Sequence, residues 1–131
     1  MAEFLFVCGT LRPQLLTPQI AALLGKFRHV SAACVSGALY DLGEYPGAVL
    51  RESGGVIRGD LLELLDAPAV WPALDTYEGF EPTDVPGSLF VRTRCEARLP
   101  DGRSIECWMY VYNRPLTAAA RLIESGDYLD A

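Results

Sequence analysis

FVRTRCEARLPDGRSIECWMYVYN, residues Phe90–Asn113, sets two segments of alternating apolar and polar residues on either side of Asp101-Gly102. Asp-Gly in that setting is the signature of a β-hairpin, because its glycine tolerates the left-handed backbone of a tight turn. Two paired strands are therefore predicted. With a two-residue loop, Tyr110 and Trp108 share a face with Thr93 and Cys95, while Arg92, Arg94 and Arg98 point the other way. A bulge would reverse that register, since side chains alternate with period two.

Upstream of the hairpin, APAVWPALDTYEGF (Ala67–Phe80) reads as a helix from about Ala69, with Val70, Leu74 and Tyr77 at helical spacing and Gly79 closing it. GGVIRGDLLELL restarts after two glycines as a strand, and Val30–Leu42, rich in β-branched, small and aromatic residues, fits another strand better than its alternative, a helix. Between them LGEYPGAVL is a Gly- and Pro-rich turn leading into a short apolar run. At the start of the chain, Phe4–Cys8 is a strand buried on both faces and bounded by Gly9. A loop and a short helix follow, with Thr17 as cap, Pro18 at the first helical position, Gly25 as terminator, and Ile20, Leu23 and Leu24 on one face. Short strands with two or three helices predict one α+β domain over residues 1–131, a small mixed or antiparallel β-barrel with flanking helices.

The bulk composition excludes several function classes. A chain of 131 residues, half of them hydrophobic, holds one compact core. Seventeen acidic against eleven scattered basic residues give a net charge of −6, which repels phosphate backbones and argues against a nucleic-acid partner. Cys8, Cys34, Cys95 and Cys107 form no CxxC pair, and His29 stands alone, so no metal site is expected. No run approaches the ~20 apolar residues needed to cross a bilayer, and Phe4–Val7 is too short for a signal peptide. The expectation is a cytoplasmic protein with reduced cysteines and no membrane partner.

Two places could carry chemistry. A strand followed by a tight turn at Gly9-Thr10 exposes successive backbone N–H groups that can hold an anion or a developing oxyanion, although Gly-Thr also fits a plain β-turn. Cys8, just before it, is either a small buried hydrophobe or a nucleophilic thiol; the second role needs a base, and nothing in the sequence brings His29 to it. Glu78, four residues after Leu74, leans toward the face that the helix buries. A carboxylate drawn into an apolar pocket has a raised pKa suited to proton transfer; the alternative is a solvated acid at a helix end. Asp75 and Glu81 read as ordinary surface acids.

Taken together, VCGTLRPQ, LYDLGEYPGAVL, IRGDLLEL, LDTYEGF and the hairpin block resemble, in this order, the motifs of the gamma-glutamylcyclotransferase-like family, including its gamma-glutamylamine cyclotransferases. The resemblance spans about Phe4 to Tyr112. It implies a small barrel with flanking helices and a cavity closed by the loop after the first strand. The reaction it implies converts a γ-glutamyl group to 5-oxoproline with release of an amine or amino acid, without metal or cofactor, in a monomer or weak dimer. Cys8, Gly9, Thr10 and Leu11 take the places of the substrate-binding loop, Glu78 that of the catalytic acid/base, and Tyr110 an aromatic position near the pocket. Cys8 replaces the usual tyrosine, Gln14 stands where a glycine is common, and Phe90 where a tyrosine often precedes the arginine matched by Arg92. The lost hydroxyl at position 8 keeps open a metabolite-binding module without turnover, and a Cys8-dependent hydrolase is a third reading.

Overall fold

The computed structural model of the chain describes residues 2–9, 18–52 and 55–130. In chain order they form β1 (Glu3–Val7), the single helical turn α1 (Pro18–Ala21), a 3₁₀ turn (Leu24–Lys26), β2 (Phe27–Asp41), β3 (Pro46–Leu50), β4 (Val56–Leu64), α2 (Ala67–Glu78), β5 (Phe90–Arg98), β6 (Ser104–Tyr112), β7 (Arg121–Leu122) and a 3₁₀ turn (Tyr128–Asp130). The order β2-β4-β1-β6-β5 closes into a barrel when β5 returns to β2 at Cys34 and Arg98. β1 and β6 run parallel, paired at Leu5 and Trp108, and the other pairings are antiparallel. β3 and β7 both pair with the far end of β2, outside the closed ring.

Alternation along the strands sorts the apolar residues into two layers. Phe6, Leu61, Ile57, Ala97, Cys107 and Met109 fill the barrel, whereas Leu5, Val7, Leu62 and Leu64 on the opposite faces meet Val70 and Leu74 of α2. β1 is thus buried on both sides, as its short apolar run predicts. Val70 and Leu74 are fully buried, and each such side chain stabilises the helix on the barrel by roughly 1.5–3 kcal/mol. α2 begins two residues before the expected Ala69, because Pro68 in its first turn gives up an N–H that no intrahelical acceptor would have met. It runs through Pro72 and ends at Gly79, whose φ of 71° is the left-handed conformation that stops a helix.

The hairpin forms as expected, but its register is the reverse of that given by a two-residue loop. β5 and β6 close at Arg98 and Ser104, leaving five residues, Leu99 to Arg103, in the connection. Asp101 Oδ1 accepts the Arg103 N–H at 3.0 Å and Leu99 N–H bonds Arg103 O at 2.8 Å, which stabilises the longer loop. Arg92 therefore pairs with Tyr110 and Arg94 with Trp108. Thr93 and Cys95 instead pair with Met109 and Cys107, and the Cys95 and Cys107 sulfurs lie 3.5 Å apart. Within this pair the Cys95–Cys107 hydrogen bond lowers the Cys95 pKa and raises that of Cys107.

Candidate active site

Between the second layer and the β2–β3 connection lies a cavity of about 330 Å³. β1 contributes Phe6 and Val7 and continues into Cys8 and Gly9, the β2–β3 connection contributes Glu44 and Tyr45, β3 contributes Pro46 and Ala48, and α2 ends on it with Tyr77 and Glu78. Leu89, Phe90 and Tyr110 complete the wall. The ring centroids of Tyr45 and Phe90 are 5.8 Å apart, and those of Phe90 and Tyr112 5.5 Å, so aromatic packing ties the β2–β3 connection to the hairpin.

Glu78 is the last residue of α2, and local hydrogen bonds fix where it sits. Gly79 N–H bonds Thr76 O at 3.2 Å, Phe80 N–H bonds Asp75 O at 2.8 Å, and Leu89 N–H bonds Gly79 O at 3.0 Å. The loop that follows is staked by buried Ser88, whose hydroxyl accepts the Glu81 N–H at 2.8 Å and donates to Asp84 O at 2.9 Å. Burial disfavours the Glu78 carboxylate and pushes its pKa from 4.5 up to about 7. The group can then hold or release a proton near neutrality.

Behind Glu78 lies a buried polar network that the sequence reading does not contain. The Tyr110 hydroxyl donates to Asp75 Oδ1 at 2.7 Å, and Arg92 Nη1 lies 3.7 Å from the same oxygen. The Arg92 guanidinium stacks 4.3 Å from the centroid of Trp71 and 5.5 Å from that of Trp108. Burial, and then the bond to Asp75, raises the pKa of Tyr110. Asp75 is thus a buried acid at 8 % exposure rather than a surface one, and the register of the hairpin is what delivers its partners. Glu81 is exposed, as expected.

Of the sequence-predicted site residues, Glu78, Cys8, Gly9 and Tyr110 surround this one cavity; Thr10 and Leu11 lie outside the described residues. Cys8 also packs against the barrel interior. His29 Nε2 is 2.9 Å from Asp60 Oδ1, and His29 does not line the cavity that Cys8 lines. The sequence carries Glu44, Tyr45 and Pro46 only as part of a Gly-Glu-Tyr-Pro turn, and Tyr77 only as a helix-face aromatic beside Glu78, so none of them reads as a site residue there. Among the described residues no group of three or more His, Cys, Asp and Glu could hold a metal ion, and no helix is long and apolar enough to cross a membrane.

Residues 5–130 match the family model described as gamma-glutamyl cyclotransferase, AIG2-like. The gamma-glutamylcyclotransferase family protein YtfP of Escherichia coli is 35 % identical over 92 residues, which is 70 % of this chain and 67 % of that one. Among solved structures, YkqA of Bacillus subtilis superposes with a TM-score of 0.70 at 22 % identity, over 98 % of this chain and 40 % of its own length. An AIG2-like protein of Mus musculus superposes with a TM-score of 0.65 at 24 % identity, over 90 % of this chain and 78 % of its own. Both structures have the same fold.

Proposed function

Because this chain belongs to the gamma-glutamyl cyclotransferase, AIG2-like family, we propose that it cyclises a γ-glutamyl group to 5-oxoproline, releasing an amine or amino acid, with Glu78 as general acid/base. The observation that carries this reading is a carboxyl with a pKa near 7 in the wall of a small, largely apolar cavity. As carboxylate, Glu78 takes a proton from the substrate's α-ammonium group. The freed amine attacks the γ-carbonyl of the same molecule, and the new ring C–N bond forms. In this reading the backbone N–H groups of the Cys8–Gly9 segment, which follows β1 and lines the cavity, stabilise the tetrahedral oxyanion. Glu78, now the acid, gives a proton to the departing nitrogen as its bond to carbon breaks, and the ring nitrogen's second proton passes to the released amine, which leaves as its ammonium.

Ring closure is unimolecular once the substrate is held bent, so confinement supplies much of the acceleration. A volume of about 330 Å³ suits a metabolite rather than a folded protein. The test is a screen of γ-glutamyl amines, γ-glutamyl dipeptides and glutathione for 5-oxoproline release. Turnover of at least one class is expected. Binding of these compounds without release would favour a metabolite-binding module instead.

A further inference from the structure

A tyrosine hydroxyl has one hydrogen to donate and two lone pairs to accept with. In Tyr110 that hydrogen is committed to Asp75 Oδ1 at 2.7 Å, in a site with Asp75 at 8 % and Tyr110 at 7 % exposure. Asp75 is held in turn: its main-chain oxygen accepts the Phe80 N–H, and Arg92, clamped between aromatic rings, pairs with its carboxylate. Arg92 Nη1 has no hydrogen-bond acceptor among the described residues, so this pairing is electrostatic and leaves the Tyr110 hydrogen as the close donor to that oxygen. What Tyr110 can still do is accept. It lines the cavity, and the charge of Glu78 acts on its hydroxyl. Among the described residues, the charged side chains that line the cavity are Glu44 and Glu78, both acids.

We propose that Asp75 is a positioning residue that fixes the Tyr110 hydroxyl as a hydrogen-bond acceptor, and that Tyr110 and Glu78 together receive the ammonium group of the ligand. This deepens, and rests on, the γ-glutamyl reading of the same cavity. It makes the α-amine a point of recognition as well as the nucleophile. Were the Tyr110 hydrogen free, the hydroxyl could turn it toward Glu78 and compete with the ligand for that carboxylate.

The test compares two probes, γ-glutamylbutylamide and glutarylbutylamide, which differ only in the α-amine. KM is measured for the first and the competitive inhibition constant for the second, in the parent and in Tyr110→Phe, Asp75→Ala and Asp75→Asn. Tyr110→Phe should weaken the γ-glutamyl probe by ~10-fold, the scale of one lost hydrogen bond to a charged group, and leave the glutaryl probe within about twofold. Asp75→Ala should show the same selective loss. Asp75→Asn, whose amide oxygen still accepts from Tyr110, should retain the discrimination. Equal weakening of both probes by Tyr110→Phe, or of neither, would overturn the assignment, as would Asp75→Asn behaving like a loss of the tyrosine hydroxyl. If the parent releases no 5-oxoproline, the cyclotransferase reading fails on its own; calorimetric affinities of the same two probes for the same variants then decide the amine contact.

Discussion

Gly9 and Pro46 meet in the wall of the cavity so closely that a Cβ on Gly9 would come within 2.8 Å of Pro46 Cγ and 3.5 Å of its Cδ. The reason for glycine here is the approach of Pro46, the first residue of β3. Gly9→Ala should displace the proline ring and raise KM for a γ-glutamyl substrate by ~10-fold or more, with the melting temperature nearly unchanged. Cys8→Ser, which keeps side-chain size and leaves the backbone in place, should be milder. A Gly9→Ala enzyme with the parent KM would remove this segment from the binding surface.

Glu78→Gln keeps the shape of the side chain but cannot shuttle a proton. Turnover should drop by ~10² to 10⁴, the range for losing a general acid/base, while affinity for the substrate falls far less. In the parent, kcat/KM should rise with a limb near pH 7, where the buried carboxyl ionises. That limb should be missing from the residual activity of the variant. Near-parent turnover in a folded Glu78→Gln protein would sink the assignment.

Stability should report the same group independently. The folded carboxyl keeps its proton up to about pH 7, whereas the unfolded one loses it near 4.5. The folded state therefore binds more protons between these values, and stability falls as the pH rises through them. Glu78→Gln escapes this loss. Its stability relative to the parent should be greater at pH 8 than at pH 4 by on the order of 1–3 kcal/mol, measured by chemical denaturation at both values. An equal difference at the two pH values would contradict a buried carboxyl at this position.

Gly59 in β4 faces the carbonyl of Val7 so tightly that a Cβ would press on backbone, and would also come within 2.9 Å of Phe6 Cζ. Neither a strand carbonyl nor a buried ring yields cheaply. Gly59→Ala should destabilise the protein by about 1–3 kcal/mol and reduce activity as well, because the strand it displaces is the one leading to Cys8 and Gly9. A urea midpoint equal to that of the parent would refute this.

The strands were legible because most are apolar runs or alternations cut by glycine. β2 shows where that signal thins: it starts at Phe27, not Val30, since Arg28 pairs with Glu63 and His29 with Asp60 across the ladder to β4. Polar residues satisfied by a neighbouring strand look like loop when read alone. Glu78 was legible from its spacing to Leu74, but the same helix gave no sign that Asp75 is buried. Its burial depends on Tyr110 and Arg92 arriving from β6 and β5, and that arrival depends on a five-residue hairpin loop in place of a two-residue one. Local pattern records a residue's own periodicity, whereas a buried ion network is a property of three distant segments.

The single parallel pairing among the described residues, Leu5 with Trp108, has a consequence for how the protein comes into being. Its partners are separated by roughly 100 residues of chain, which a ribosome adding ~5–20 residues per second takes about 5–20 s to supply. Until then β1 can pair on one side only, with β4, and its other edge stays open to any stray strand. The cavity cannot close during that interval, because Tyr110 is delivered by the last strand of the barrel to emerge. Such non-local closure slows folding and lengthens the time for which the nascent chain is open to aggregation.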